Sequence, residues 1–151
     1  MSIQDQLTDD LKNAMKSGDA TTKDTVRLIR SAVQNAEIEK QGDLDDTDVS
    51  LVLGKMAKQY RDSITVYREA KRDDLVTKEE TELAVVMRYL PEQMSADDVR
   101  AIAETVVAEV GATGPGDKGK VMGKLMPQVR GKADGSMVNT VVGELLDALV
   151  G

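Results

Sequence analysis

The side chains able to do chemistry in this 151-residue chain are few in kind. It has no Cys and no His, which excludes thiol nucleophiles, disulfides, imidazole bases and the usual zinc ligands together. No nucleophile–base pair can be nominated from what remains, and no cofactor or metal is expected. What the sequence does offer is charge. Five basic residues, Lys118, Lys120, Lys124, Arg130 and Lys132, fall in one window with no acid among them. Outside that window there are 15 basic and 27 acidic residues, a net of −12 against −7 for the whole chain. A positive island in a negative chain steers a polyanion to one face. The blander reading is a solvated helix flank.

The window lies in a glycine-rich stretch, Pro115–Asp134. On a helix at about 100° per residue, Val121, Met122, Leu125, Met126 and Val129 share one arc. Gly119, Lys120, Gly123, Lys124, Pro127 and Arg130 share the opposite one. The cationic side thus has no bulky side chain between its cations, so a phosphate backbone could approach it closely. This requires the helix to persist through Pro127, which loses one backbone bond. The alternative use of Gly119 and Gly123 is to let another helix pack close. A nucleotide-binding loop is dismissed. Gly114 to Lys120 fits G-x-x-x-x-G-K, but Val121 follows where Mg²⁺ ligation wants Ser or Thr, and no strand precedes it.

Other constellations are weaker. Lys23, Arg27 and Arg30 could extend a basic surface, but ion pairs with nearby acids are the expected state of these residues, as they are of Arg68, Lys71 and Arg72 beside Asp73 and Asp74. Tyr60 and Tyr67 are expected in the core rather than as base-stacking platforms. Glu79, Glu80 and Glu82 crowd a helix start, where the dipole favours them, and do not make a metal site.

The elements that position these residues are helical throughout. With three Tyr, no Phe and no Trp, the core is aliphatic. Ser2 caps a first helix that Gly18 stops, with Ile3, Leu7, Leu11 and Ala14/Met15 inward. A second helix runs from about Thr22 to Lys40, ended by Gly42, and a third from about Asp48 to Arg72. Gly54 inside the third calls for close packing by a neighbour. Arg72–Val76 reads as a bend, and Thr77-x-x-Glu80 as a capping box opening a fourth helix that Pro91 stops. Ser95-x-x-Asp98 caps a fifth, closed by Gly111. A sixth is expected from about Asp117 to Arg130 and a seventh from about Ser136 to Val150, with Val138, Val141/Val142, Leu145 and Leu149 inward. The expected fold is therefore all-α: an N-terminal helical bundle over residues 1–91 and a small three-helix tail domain over residues 95–151. The N-terminus is acidic and shows no targeting segment, and no run approaches the ~18 apolar residues of a membrane span. A cytoplasmic protein is the expectation.

These residues carry a resemblance. Leu11-Lys-x-Ala14-Met-Lys, Val26-Arg-Leu-Ile-Arg-Ser-Ala32, Gln59-Tyr-Arg-Asp-Ser, Tyr89-Leu-Pro-Glu-Gln93 and Gly119-Lys-Val-Met-Gly-Lys-Leu-Met-Pro127 with Gly131-Lys-Ala-Asp-Gly135 resemble the YqeY family over almost the whole chain. That family is similar to the C-terminal part of the B subunit of the tRNA-dependent Asp/Glu-tRNA amidotransferase. The resemblance implies two helical domains and, by analogy with the amidotransferase tail, tRNA held by shape. Lys120, Gly123, Lys124, Gly131 and Lys132 are the positions matching the tail motif. The amidotransferase does its chemistry in a domain this chain does not contain. A label such as carbon–nitrogen ligase with glutamine as amido donor is thus a family label, not a reading of these residues. The leading expectation is a non-catalytic accessory protein that binds tRNA or a tRNA–enzyme complex through Lys118, Lys120, Gly123, Lys124, Arg130, Gly131 and Lys132. The alternative is a protein-interaction module docking on a synthetase or amidotransferase, with catalysis third.

Overall fold

The computed structural model describes the whole chain, Met1–Gly151. The all-helical expectation is borne out. The helices are α1 (Ile3–Ser17), α2 (Ala20–Lys40), α3 (Asp46–Glu69), α4 (Asp73–Met87), α5 (Ala96–Val110), α6 (Lys118–Val129) and α7 (Gly135–Val150), with a 3₁₀ turn at Pro115–Asp117 before α6. They divide into two compact units, Met1–Leu90 and Pro91–Gly151.

In the first unit, the three/four spacing of the apolar residues builds one core from Leu7, Val26, Ile29, Val33, Val49, Leu53, Ala57, Val85, Val86 and Tyr89. Ser2 and Asp5 form a capping box on α1, and Gly18 ends it in the left-handed conformation at φ +74°. Several boundaries differ from the sequence reading. α2 starts two residues early because Asp19 caps it, taking the Thr22 N–H at 3.1 Å and the Thr22 hydroxyl at 2.7 Å. It ends at Gln41 rather than Gly42, in the left-handed region at φ +60°. α3 begins at Asp46 behind an Asp45/Asp48 capping box and ends at Glu69, short of Arg72.

The Thr77–Glu80 capping box does not form. α4 starts four residues earlier, at Asp73, so Thr77 lies inside it. Asp73 and Asp74 sit in its first turn, where carboxylates suit the dipole. Arg72 grips Asp74 through two hydrogen bonds of 3.2 and 3.1 Å. Gly54 has no packing reason: a Cβ added there meets nothing within 4 Å. Tyr60 and Tyr67 are half-buried, and the deeply buried phenol is Tyr89, whose hydroxyl donates to the Asp10 carboxylate.

Burial, then the Asp10 hydrogen bond, raise the Tyr89 pKa above its ordinary 10. Burial and Glu82 push the Tyr60 phenol up to about 12. A phenol with a raised folded pKa stabilises the fold below pH 10, and that contribution is lost as pH climbs from 10 toward the folded value. Stability of the first unit is therefore expected to fall above pH 10. In Tyr89→Phe the fall from pH 9 to 11 should be smaller by about 1.4 kcal/mol, the slope difference approaching one proton's worth only above pH 10. Denaturant midpoints between pH 9 and 11 measure this, and identical slopes for the two proteins would refute it.

The second unit packs α5, α6 and α7 around Val99, Ala103, Val106, Val121, Leu125, Val129, Val138, Val141, Val142 and Leu146. Ser95 and Asp98 form the expected capping box on α5, and Gly111 closes it at φ +66°. On α7 the inward leucine is Leu146, fully buried, whereas Leu145 is half-buried and Leu149 is exposed. The stripe of α7 therefore turns one residue from the spacing read in the sequence.

Candidate nucleic-acid interface

α6 is formed by an apolar stripe rather than by propensity. Val121, Leu125 and Val129 are fully buried, with Met122 and Met126 packed beside them. Burying that stripe fixes the rotation of the helix and turns the other side outward. Gly119, Lys120, Gly123, Lys124, Pro127 and Arg130 are all exposed. The helix runs through Pro127 to Val129. Having no N–H, Pro127 leaves the carbonyl of Gly123, four residues earlier, without its usual helical donor.

The glycines of this arc are not packing glycines. A Cβ built at Gly119 or at Gly123 meets nothing within 4 Å. No neighbouring helix uses the space, and only solvent faces it. The arc is a shallow strip of bare backbone with cations beside it.

Those cations differ in their state. Lys124 is paired with Glu109 of α5 at 2.7 Å, both groups about half exposed. Lys120 stands 3.9 Å from Asp117, one turn before it. Asp117 also accepts the Thr113 N–H at 2.9 Å. That bond, foremost, and the charge of Lys120 hold its carboxyl below the usual carboxylate range. Asp117 also sets a carboxylate inside Gly114–Lys120, the stretch that fits G-x-x-x-x-G-K, where it would repel an anion. Arg130 and Lys132 are exposed and have no carboxylate within 4 Å.

Two of the residues read from the sequence do not join the arc. Lys118 opens α6 half-buried, and its helical position falls with Val121, Leu125 and Val129 on the apolar side. Gly131 is buried, and its φ of +78° makes it the turn-former after α6. That turn is fastened on both sides: Lys132 and Ala133 N–H groups donate to Val129 O at 2.9 and 3.0 Å, and Met94 N–H donates to Lys132 O at 2.7 Å. Gln93 Nε2 donates to Gly131 O at 3.4 Å. The Gly131–Lys132 turn thus presents Lys132 from a fixed backbone.

Sequence reasoning missed the two acids that attend the lysines. Asp117, three residues before Lys120, was legible as a helical neighbour. Glu109 was not, because its approach depends on how α5 crosses α6. No group of three or more His, Cys, Asp or Glu is placed to hold a metal ion, and no helix is long and apolar enough to cross a membrane.

A wholly helical chain of two compact units, with a glycine–lysine helix face in the second, defines a small two-unit helical protein. The chain belongs to the YqeY family: the profile described as Yqey-like protein matches residues 4–146. It is similar to proteins named "Altered inheritance of mitochondria protein 41, mitochondrial". With that of Pyrenophora tritici-repentis it shares 32% identity over 151 aligned residues, covering 95% of this chain and 80% of the relative. With that of Candida glabrata it shares 34% over 113 residues, 72% of this chain and 62% of the relative. With that of Lachancea thermotolerans it shares 39% over 85 residues, 56% of this chain and 46% of the relative.

Proposed function

We propose that this protein is a non-catalytic accessory of tRNA metabolism. It binds tRNA, alone or on an enzyme, by laying the phosphate backbone along the exposed arc of α6. Lys120 and Lys124 flank the backbone, and Arg130 and Lys132 extend the contact past the helix end. The observation that carries this reading is the pair of uncovered glycines, Gly119 and Gly123, facing solvent between cations in a chain of net charge −7. Lysines on a bare strip contact phosphates without reading bases, so recognition is by shape. The resemblance of Gly119–Pro127 to the amidotransferase tail motif supports the same ligand. With no Phe and no Trp, stacking on single-stranded bases contributes little. The reading needs a compartment that holds tRNA. We place this chain in the cytoplasm, while the fungal relatives carry "mitochondrial" in their names.

The test is titration of nuclease-treated protein into labelled bulk tRNA across a range of salt, with Lys120→Glu/Lys124→Glu alongside. A wild type that fails to bind at low salt, where electrostatic attraction is greatest, would remove the proposal.

A further inference from the structure

Arg27 and Arg30, one turn apart on α2, were expected to be neutralised by nearby acids. The structure shows otherwise: neither has a carboxylate within 4 Å, while Arg68, Arg72 and Arg100 each hold one. Both line an open groove of about 510 Å³ along α1 and α2, where Ser31 and Gln34 join them.

The chemistry of the groove is that of a donor set. Its apolar floor is largely covered: Leu7 and Val33 are 1% and 4% exposed and Leu11 is half-buried. The Thr8 hydroxyl is spent on Gln4 O at 3.1 Å and the Gln4 amide on Leu44 O at 3.2 Å. Two guanidinium forks, the Ser31 hydroxyl and the Gln34 amide are left. The one acid of the groove, Glu37, lies seven residues along α2 from Arg30, about 10 Å by helical rise. An amphipathic partner helix needs an apolar floor to bury, and this groove gives it little. Paired guanidinium forks suit a phosphate, which each can grip through two N–H groups.

We infer that the α1–α2 groove is a second phosphate-backbone contact for RNA, made by Arg27 and Arg30 with Ser31 and Gln34 beside them. It rests on the reading that the protein binds tRNA and adds a contact in the first unit, separate from the α6 arc. Two guanidinium–phosphate contacts add about 1.4 to 1.8 to the steepness of log affinity against log salt.

The experiment compares the full chain with Arg27→Gln/Arg30→Gln, Arg27→Lys/Arg30→Lys and Lys120→Glu/Lys124→Glu. Labelled bulk tRNA and a labelled oligoglutamate peptide are the probes, and helicity is checked by circular dichroism. Both arginines are exposed, so the variants keep the core. The Gln pair is expected to bind tRNA at least about tenfold more weakly with a salt slope shallower by about 1.4 to 1.8. The Lys pair is expected to keep the slope but lose affinity, because the charge stays and the fork goes. A Gln pair that binds tRNA with the wild-type affinity and slope overturns the inference, and if the α6 variant fails in the same assay the arc reading stands. A Gln pair that loses only the oligoglutamate probe overturns it in favour of an acidic protein partner. If the α6 variant binds normally while the Gln pair does not, the groove is upheld and the arc reading falls.

Discussion

Lys120→Glu/Lys124→Glu is expected to bind bulk tRNA at least about a hundredfold more weakly than the wild type at about 50 mM salt, with a shallower salt dependence. The double change would remove the two proposed phosphate contacts and set two carboxylates in their place, so lost counterion release and new repulsion act together. Its effect on the fold is small. The Lys124–Glu109 and Lys120–Asp117 pairs are exposed, and such pairs contribute about 0 to 1 kcal/mol each. Both pairs become like-charge contacts in the variant, so a modest fall in melting temperature is expected. Glu109→Gln gives the opposite sign. It releases Lys124 from its carboxylate and is expected to tighten tRNA binding a few-fold at low salt. Filter binding or fluorescence anisotropy reads both, and a tRNA affinity indifferent to all three changes would sink the α6 site.

Gly119→Leu/Gly123→Leu should separate binding from stability. Neither Cβ meets any atom, and leucine exceeds glycine in helix propensity by about 0.8 kcal/mol in a helix interior. Gly123 lies mid-helix and Gly119 in the first turn, so α6 is expected to gain about 1 kcal/mol. If the backbone of an RNA lies along this strip, two leucine side chains hold it off, and affinity should drop at least about tenfold with the lysines untouched. Thermal melts and tRNA titration together test this. A stabilised variant with undiminished binding would mean that the glycines are incidental to the contact.

How far the molecule was legible in its sequence depended on the range of the interaction. Although Asp5 as the partner of Ser2 went unread, the Ser2 cap and the Ser95/Asp98 capping box read correctly because each signal is local. So did the α6 projection, since a stripe of Val121, Leu125 and Val129 admits one inward face. Errors arose where two local signals competed. Thr77 and Glu80 offered a cap, but Asp73 and Asp74, with Arg72 holding Asp74, started α4 a turn earlier and left Thr77 inside. The one-residue turn of α7 toward Leu146 is a tertiary choice made by the α5–α6 surface, and no periodicity in residues 135–150 decides it. At the arc, spacing placed Lys120 and Lys124 but could not see Glu109, which arrives from another helix. Nor could it tell that Gly131 is spent on a turn.

If RNA lies along the α6 arc as proposed, the Pro127–Gly123 relation bears on which sugar the protein prefers. A helix carbonyl deprived of its N–H partner is an acceptor, and Gly123, which carries it, is exposed beside Lys124. A 2′-hydroxyl is a donor that deoxyribose lacks. The expected consequence is a preference for RNA over DNA of the same sequence and shape, arising from one main-chain oxygen. Pro127→Ala would return an N–H to that carbonyl while firming the helix. In paired titrations with RNA and DNA hairpins, the gap between them should narrow in the variant. An unchanged gap would rule out the Gly123 carbonyl as its source. If RNA binds along α6, the helix-breaking residue gives a chain poor in aromatic rings a main-chain means of distinguishing ribose.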